Sequence, residues 1–203
     1  MPATRRWRCT LGSLSAEAGN DEIVSFDSEE LILVDQADGE IGHLTKSACH
    51  DGDGVLHRAF SLFIFNTDGE LLLQQRSAQK RLWPLYWSNS CCSHPRHGEI
   101  MSQAVERRLF QELGMRCKPS FLYKFIYHAK FADRGAEHEY CSVYLGTSED
   151  EVRPNVHEIA DWRYIPPDAL DRELRDKPQS FTPWLKMEWQ RIRSEFQHML
   201  ENL

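Results

Sequence analysis

The segment Glu137-His-Glu-Tyr-Cys-Ser-Val-Tyr-Leu145 puts two carboxylates where a core should be. Side chains alternate along a strand, so Glu137 and Glu139 share a face, and that face continues through Cys141, Val143 and Leu145. Like charges side by side at the edge of a core are costly. Three readings relieve the cost: a frayed, solvated strand end, one protonated partner, or a cation shared between the two. Three histidines bear on the choice. His50 and His57 flank Asp51-Gly-Asp-Gly-Val-Leu56, and His94 lies in Ser88-Asn-Ser-Cys-Cys-Ser-His-Pro95. Each histidine alone reads more naturally as structural or solvated. With the two glutamates they form a three-nitrogen, two-oxygen donor set that suits a six-coordinate divalent ion, and imidazole favours zinc, manganese or iron over magnesium. Asp51 and Asp53 match a calcium loop at two positions, but the remaining ligands of such a loop are missing.

Cys92 stands two residues before His94. Free cysteines are usually buried and inert. The neighbours here are Ser, Asn, His and Pro, a polar turn, which makes Cys92 a candidate reactive thiol. Lys46, Arg76, Lys80 and Arg108 are available for an anion, Arg by bidentate pairing and Lys as a point charge, although any one of them reads first as a solvated surface residue.

Elements to hold these residues are legible along the chain. Leu31 to Asp35 reads as a short strand and Gln36 to Gly39 as a turn. Phe60 to Phe65, Asn66-Thr-Asp-Gly69 and Leu71 to Gln75 read as a β-hairpin. Ile100, Ala104, Val105, Leu109 and Leu113 recur at helical spacing over residues 100–113, with Gly114 just past the end. Phe121, Tyr123, Phe125, Tyr127, Ala129 and Phe131 form one period-2 face of a strand that precedes the glutamate strand. The last helix is expected to be capped by Thr182, with Pro183 in its first turn and a stripe of Leu185, Trp189, Ile192, Phe196 and Met199. Interspersed strands and helices predict a mixed sheet covered by helices.

The 203 residues carry 41% hydrophobic and 27% charged side chains, an ordinary globular mix for a single domain. The formal net charge of −7 argues against a nucleic-acid partner, which needs a basic footprint. No run approaches the ~20 apolar residues of a membrane span. Arg5, Arg6 and Arg8 precede no apolar segment, so the start reads as an uncleaved tail, with an Arg-rich transit peptide as the alternative. Six cysteines without a CxxC pair read as reduced thiols of a cytoplasmic protein. Residues 1–28 are expected to be a poorly ordered extension and 29–203 a single domain.

From Ser93 to Met115 the chain approximates the Nudix signature, a loop–helix–loop that holds metal and diphosphate. Glu99, Arg107, Leu109, Glu112, Gly114 and Met115 stand at matching offsets, whereas Ser93, Arg108 and Gln111 depart from the pattern. Two acidic positions are lost, which speaks against hydrolysis by metal-activated water and leaves the fold reading intact. Together with Leu56-His-Arg-Ala-Phe60, Ser88 to Pro95, Glu137-His-Glu139 and Thr182-Pro-Trp184, the chain over roughly residues 30–200 resembles the type 1 isopentenyl-diphosphate isomerases. The resemblance implies an α+β fold: a Nudix-type mixed β-sheet sandwiched between helices, with an N-terminal extension and a long C-terminal helix. It implies interconversion of isopentenyl and dimethylallyl diphosphate. His50, His57, His94, Glu137 and Glu139 match the family's ligands for one divalent ion, Mn2+, Zn2+ or Mg2+. Cys92 and Glu139 match its proton-transfer residues, and Tyr127 the tyrosine that assists the glutamate. Glu112 matches the carboxylate for Mg2+ arriving with the substrate diphosphate. Lys46, Arg76, Lys80 and Ser93 match diphosphate-binding positions, and Trp184 an aromatic facing the isoprenoid, where its ring would stabilise a carbocation. A monomer with a small-molecule substrate and no nucleic-acid or membrane partner is expected. The rival readings are a Nudix pyrophosphohydrolase and a non-catalytic binder of metal or prenyl diphosphate.

Overall fold

The computed structural model describes residues 21–201. The chain runs through β1 (Glu30–Val34), β2 (Glu40–Thr45), α1 (Lys46–Cys49), β3 (His57–Phe65), β4 (Leu71–Arg76), β5 (Trp87–Ser88), β6 (Cys91–Ser93) and α2 (Met101–Leu113). It continues through β7 (Ser120–Lys130), β8 (Ala136–Thr147), β9 (Ile159–Ile165), α3 (Pro167–Asp176), α4 (Pro183–Glu195) and α5 (Gln197–Leu200).

β3 is the spine, because its sequence is apolar on both faces. Phe60, Leu62 and Ile64 pack with Ala104, Val105, Leu109 and Leu113 of α2. Ala59, Phe63 and Phe65 point the other way, into a core shared with Leu185, Trp189 and Ile192 of α4. A strand buried on both faces reads as a continuous hydrophobic run, and each such side chain contributes ~1.5–3 kcal/mol on burial. The result is the expected mixed sheet between helices. β3 lies parallel to β8 from His57↔Glu139 to Phe65↔Thr147, and β7 is antiparallel to β8.

The predicted hairpin exists only at its turn. β3 and β4 pair at Phe65↔Leu71 and then separate. One edge of β3 is taken by β8, and along its length the strand also meets β1 at His57, β6 at Phe60–Leu62 and β4 at Phe65. β4 therefore finds its partners in β9 and β5.

Three local expectations are corrected. Thr182 does not cap α4 with its side chain, because its hydroxyl lies 3.2 Å from that of Ser88. The last helix stops at Glu195, and Phe196, in a non-helical conformation, leads into α5 while its ring stacks on Tyr123. The inward face of β7 begins at Tyr123, since a register shift between Phe121 and Tyr123 leaves Phe121 exposed. The boundary at residue 28 also moves. Val24 is buried and its carbonyl accepts a hydrogen bond from Arg108 Nη1 at 2.8 Å, and Lys46 Nζ donates to Ser25 Oγ. Residues 21–28 thus belong to the domain, and the rest of the expected extension lies outside the described residues.

Candidate active site

The parallel register sets His57, the first residue of β3, beside Glu139 of β8. Glu137 is two residues earlier on the same face. His50 is delivered by the end of α1, and the β7–β8 turn is fastened to it: Ala136 N–H donates to the His50 carbonyl at 3.1 Å. Gly135 permits that approach, since a Cβ there would collide with the same carbonyl. His94 follows β6, which pairs antiparallel with β3 at Ser61↔Cys92.

The five side chains converge. One donor atom from each of His50, His57, His94, Glu137 and Glu139 lies within 4.8 Å of all the others. His50 Nδ1 is 2.6 Å from the Lys46 carbonyl and His57 Nδ1 is 2.7 Å from the Val55 carbonyl. A carbonyl only accepts, so both rings carry their proton on Nδ1 and turn the Nε2 lone pair inward, the arrangement that orients metal-binding imidazoles. Among the described residues His57 Nε2 and Glu137 Oε2 are buried without a hydrogen-bond partner, although Glu137 Oε2 is 2.8 Å from His50 Nε2. Lone pairs facing one another in a buried space require a cation or a proton between them. Burial drives the His57 pKa down to about 3 and that of His94 well below the usual range, so both are neutral bases. Burial opposes protonation of His50, but Glu137 outweighs it and raises the pKa. The donor set and its orphaned atoms fit a divalent ion.

Glu139 faces two ways. One oxygen is 3.0 Å from His94 Nε2, and the other accepts the Tyr127 hydroxyl at 2.7 Å. Burial, then the charge of Glu137, pushes its pKa far above the carboxylate range. In Glu137 burial acts the same way, but His50 prevails and holds that carboxyl ionised.

Cys92 donates through Sγ to Asn89 Oδ1 at 2.8 Å and lies 3.6 Å from Ser61 Oγ. Burial raises its pKa, with Glu188 and Glu139 adding to the effect, so the polar turn does not make it a ready thiolate. Asn89 is fixed in turn by bonds from Nδ2 to the Leu62 and Cys91 carbonyls.

A cavity of about 280 Å³ joins these groups to the cations. Cys92, Ser93, His94, Tyr127, Glu137, Glu139 and Trp184 line it together with Lys46, Arg76, Lys80 and Arg108. His50 also reaches its wall. Burial, with Lys80 and Arg108 nearby, lowers the Lys46 pKa to about 8. The Arg76 guanidinium sits over the Trp184 ring at 5.1 Å, and Trp184 Nε1 donates to Ser88 Oγ at 2.9 Å.

Glu112 is not brought to this cavity. Arg108, one helical turn earlier, holds Glu112 Oε1 through Nε at 3.0 Å and Nη2 at 2.6 Å, and Gln74 Nε2 approaches Oε2 at 3.3 Å. The substitution of an acidic Nudix position by Arg108 supplies the partner that closes Glu112 off, so as it stands Glu112 does not fit a ligand role for Mg2+. A carboxylate that does line the cavity beside these cations is Glu158, paired with Lys80 and with Arg108 Nη2 at 3.1 Å.

A NUDIX domain matches residues 55–185. The isopentenyl-diphosphate Delta-isomerase 1 of Photorhabdus laumondii is 42% identical over 163 residues, covering 79% of this chain and 93% of that protein. The chain belongs to the isopentenyl-diphosphate Delta-isomerase family. A second member, the isopentenyl-diphosphate Delta-isomerase of Burkholderia multivorans, is 42% identical over 156 residues, covering 77% and 88% of the two chains. The fold of the family member described here is shared with DR0079 from Deinococcus radiodurans, at a TM-score of 0.65 and 22% identity over 80% of this chain and 98% of that one.

Sequence reasoning missed four residues of this isomerase-family site. Asn89 and Ser61 flank Cys92, Glu158 holds the cations, and Glu188 of α4 is buried with Oε2 unpartnered. Glu188 stands three residues after Leu185 and one before Trp189, so the helical spacing placed it on the apolar stripe.

Proposed function

We propose that Cys92 and Glu139 carry the two proton transfers that interconvert isopentenyl and dimethylallyl diphosphate, one on each side of the allylic unit. The observation that carries this reading is that Cys92, Tyr127 and Glu139 line the same small cavity as Lys46, Arg76 and Lys80. A volume near the low end for small-molecule sites suits a C5 diphosphate.

Shifting the double bond requires a proton on the terminal carbon and removal of one from the neighbouring methylene, through a tertiary carbocation or something close to it. Burial and Glu137 raise the Glu139 pKa, which favours the acid that would give its proton to the terminal carbon, and Tyr127 donates to its second oxygen. Cys92, whose thiol donates to Asn89 Oδ1, would release that proton to solvent before the reaction and take the methylene proton as a thiolate, so that one proton is given and one taken. Trp184, buried and fixed by Ser88, would offer its ring to the cation. Lys46, Arg76, Lys80 and Ser93 would take the diphosphate. His50, His57, His94, Glu137 and Glu139 would hold one divalent ion, zinc or manganese by donor type, which would fix Glu139 and draw charge from it. The reading extends to a cytoplasmic monomer acting on a free small molecule, and the net charge of −7 supports the absence of a nucleic-acid partner.

The test follows the vinyl protons of isopentenyl diphosphate by NMR with Mg2+ present. Glu139→Gln keeps size but removes acid–base capacity, so turnover should fall by at least ~10²-fold. Phosphate release that is rapid, untouched by Glu139→Gln and abolished by Glu112→Gln would instead assign a hydrolase.

A further inference from the structure

A second group of metal-binding side chains lies outside the cavity, where β1, β2 and the stretch that follows β6 meet. One donor atom from each of Glu30, His43 and His97 lies within 4.8 Å of the others, and all three residues are exposed. None of them lines the cavity that holds the His/Glu cluster.

The backbone brings the three together. β1 and β2 pair antiparallel with Glu30↔Thr45 and Ile32↔His43, which makes Glu30 and His43 diagonal neighbours within reach of long side chains. His97 is fastened to the same strand. Its N–H donates to the Glu30 carbonyl at 2.8 Å, and Arg96 forms an antiparallel bridge with Leu31. Arg96 Nε also donates to Glu29 Oε1 at 3.2 Å. The donors are therefore carried by hydrogen-bonded backbone.

The side chains are gathered without satisfying one another. The rings of His43 and His97 stack with centroids 4.1 Å apart and planes 19° from parallel. Glu30 Oε1 is 3.6 Å from His43 Nε2, and Glu40 Oε1 is 3.6 Å from His97 Nε2, both too long for a hydrogen bond. Protonating both rings to answer the carboxylates would stack two cations face to face. One divalent ion answers both imidazoles and the negative charge beside them at once. Exposed carboxylates alone would not point to an ion, but two imidazoles held on the same spot do, and they suit zinc, nickel or copper better than magnesium or calcium.

We propose that Glu30, His43 and His97 form an exposed binding site for a divalent transition metal, with Glu40 adding negative charge beside His97 and water filling the open positions. The ion would tie β2 to the stretch that leads away from His94, which stands three residues before His97. With fewer protein donors than the buried His/Glu set, this site should hold its ion more weakly and lose it on gel filtration.

The experiment is a calorimetric titration of the full chain with Zn2+, after the buried set has been filled with Zn2+ and excess ion removed by gel filtration. Wild-type protein should take up a further ion. His43→Ala and His97→Ala should each weaken that event by more than ~10-fold, the lower end of what disturbing even a ligand's partner costs, and leave isomerase turnover unchanged. His57→Ala, directed at the buried set, should keep the event. Excess Zn2+ should raise the melting temperature of wild type more than that of His43→Ala. No further uptake by wild-type protein overturns the proposal, and so does uptake that His43→Ala and His97→Ala both retain undiminished. An ion shared between two chains, seen as a doubling of mass in light scattering, also overturns a site built within one chain.

Discussion

Two sets of buried carboxylates lie at and behind the walls of one cavity and are neutralised in opposite ways. On β8, Glu137 and Glu139 look at imidazole nitrogens whose lone pairs point inward, and His57 Nε2 and Glu137 Oε2 find no hydrogen-bond partner. At the other end, Glu112 and Glu158 are closed by Arg108 and Lys80. The first set is unfinished without a proton or an ion, and the second is complete by itself. A group left electrostatically open can exchange protons or bind a cation at little structural cost, whereas a closed ion pair fixes geometry and resists change. Chemistry is therefore expected at the β8 end and positioning at the Arg108 end. Glu188 is a third case: it is buried against Ser61 and Cys141, no cation pairs with it among the described residues, and burial raises its pKa toward the neutral form.

The sharpest way to break this division is Cys92→Ala. If the open end carries the chemistry, isomerisation should drop by on the order of 10³-fold or more while the circular dichroism spectrum stays unchanged. Cys91→Ala, whose side chain faces α2 instead of the cavity, should stay within several-fold of wild type. Near-normal turnover by the Cys92 variant would move the chemistry elsewhere.

The contrast between open and closed ends is sharpened by a pair of variants. Arg108→Met leaves two buried carboxylates without their shared guanidinium and should cost ~3–5 kcal/mol in urea unfolding. His57→Ala should instead act on metal content: elemental analysis should find about one transition-metal ion per wild-type chain and little in the variant. Full stability in Arg108→Met would mean that the Glu112–Glu158 end is not held as described.

Glu188 gives a pH-dependent test. Burial raises its pKa to about 8, against the Ser61 and Cys141 hydrogen bonds that pull it down. Between about 4.5 and 8 the folded protein holds a proton that the unfolded chain has released, so stability attributable to this group falls as pH rises through that window and is flat above it. Glu188→Gln removes the effect. Its melting temperature should approach or exceed that of wild type increasingly from pH 5 to pH 9, by an amount worth a few kcal/mol at the upper end. A difference that does not vary with pH would show Glu188 ionised throughout.

The smallest effect belongs to Trp184, which borders both ends, since Arg76 lies over its ring and Tyr127 is 6.3 Å away. Trp184→Phe keeps a ring and should lose activity by no more than about 30-fold, the span of a cation–π contribution of ~0.5–2 kcal/mol. Trp184→Ala should lose much more. Equal rates for the two would leave Trp184 a packing residue only.

The open end was legible in the sequence because its residues are chemically out of place. Two glutamates on an apolar strand face and a thiol in a polar turn announce themselves by type and spacing, and alternation alone put Glu137 and Glu139 side by side. The closed end was not legible in the same way. Arg108 was visible only as a departure from a motif, and its partner Glu158 is 50 residues away. No local periodicity reports which acid a buried guanidinium will find. The hairpin shows the same limit: Asn66 to Gly69 specify a turn, and Asn66 Oδ1 does accept the Asp68 and Glu70 amides. Which strands pair beyond that turn depends on competition for the edges of β3. By itself the sequence determined most of the elements, the donor set and the candidate thiol, because those follow from side-chain chemistry and short-range period. Only the tertiary structure decided which carboxylates face the cavity, which are sealed and which have their pKa raised, because burial and the distance to the nearest cation are properties of the packed chain.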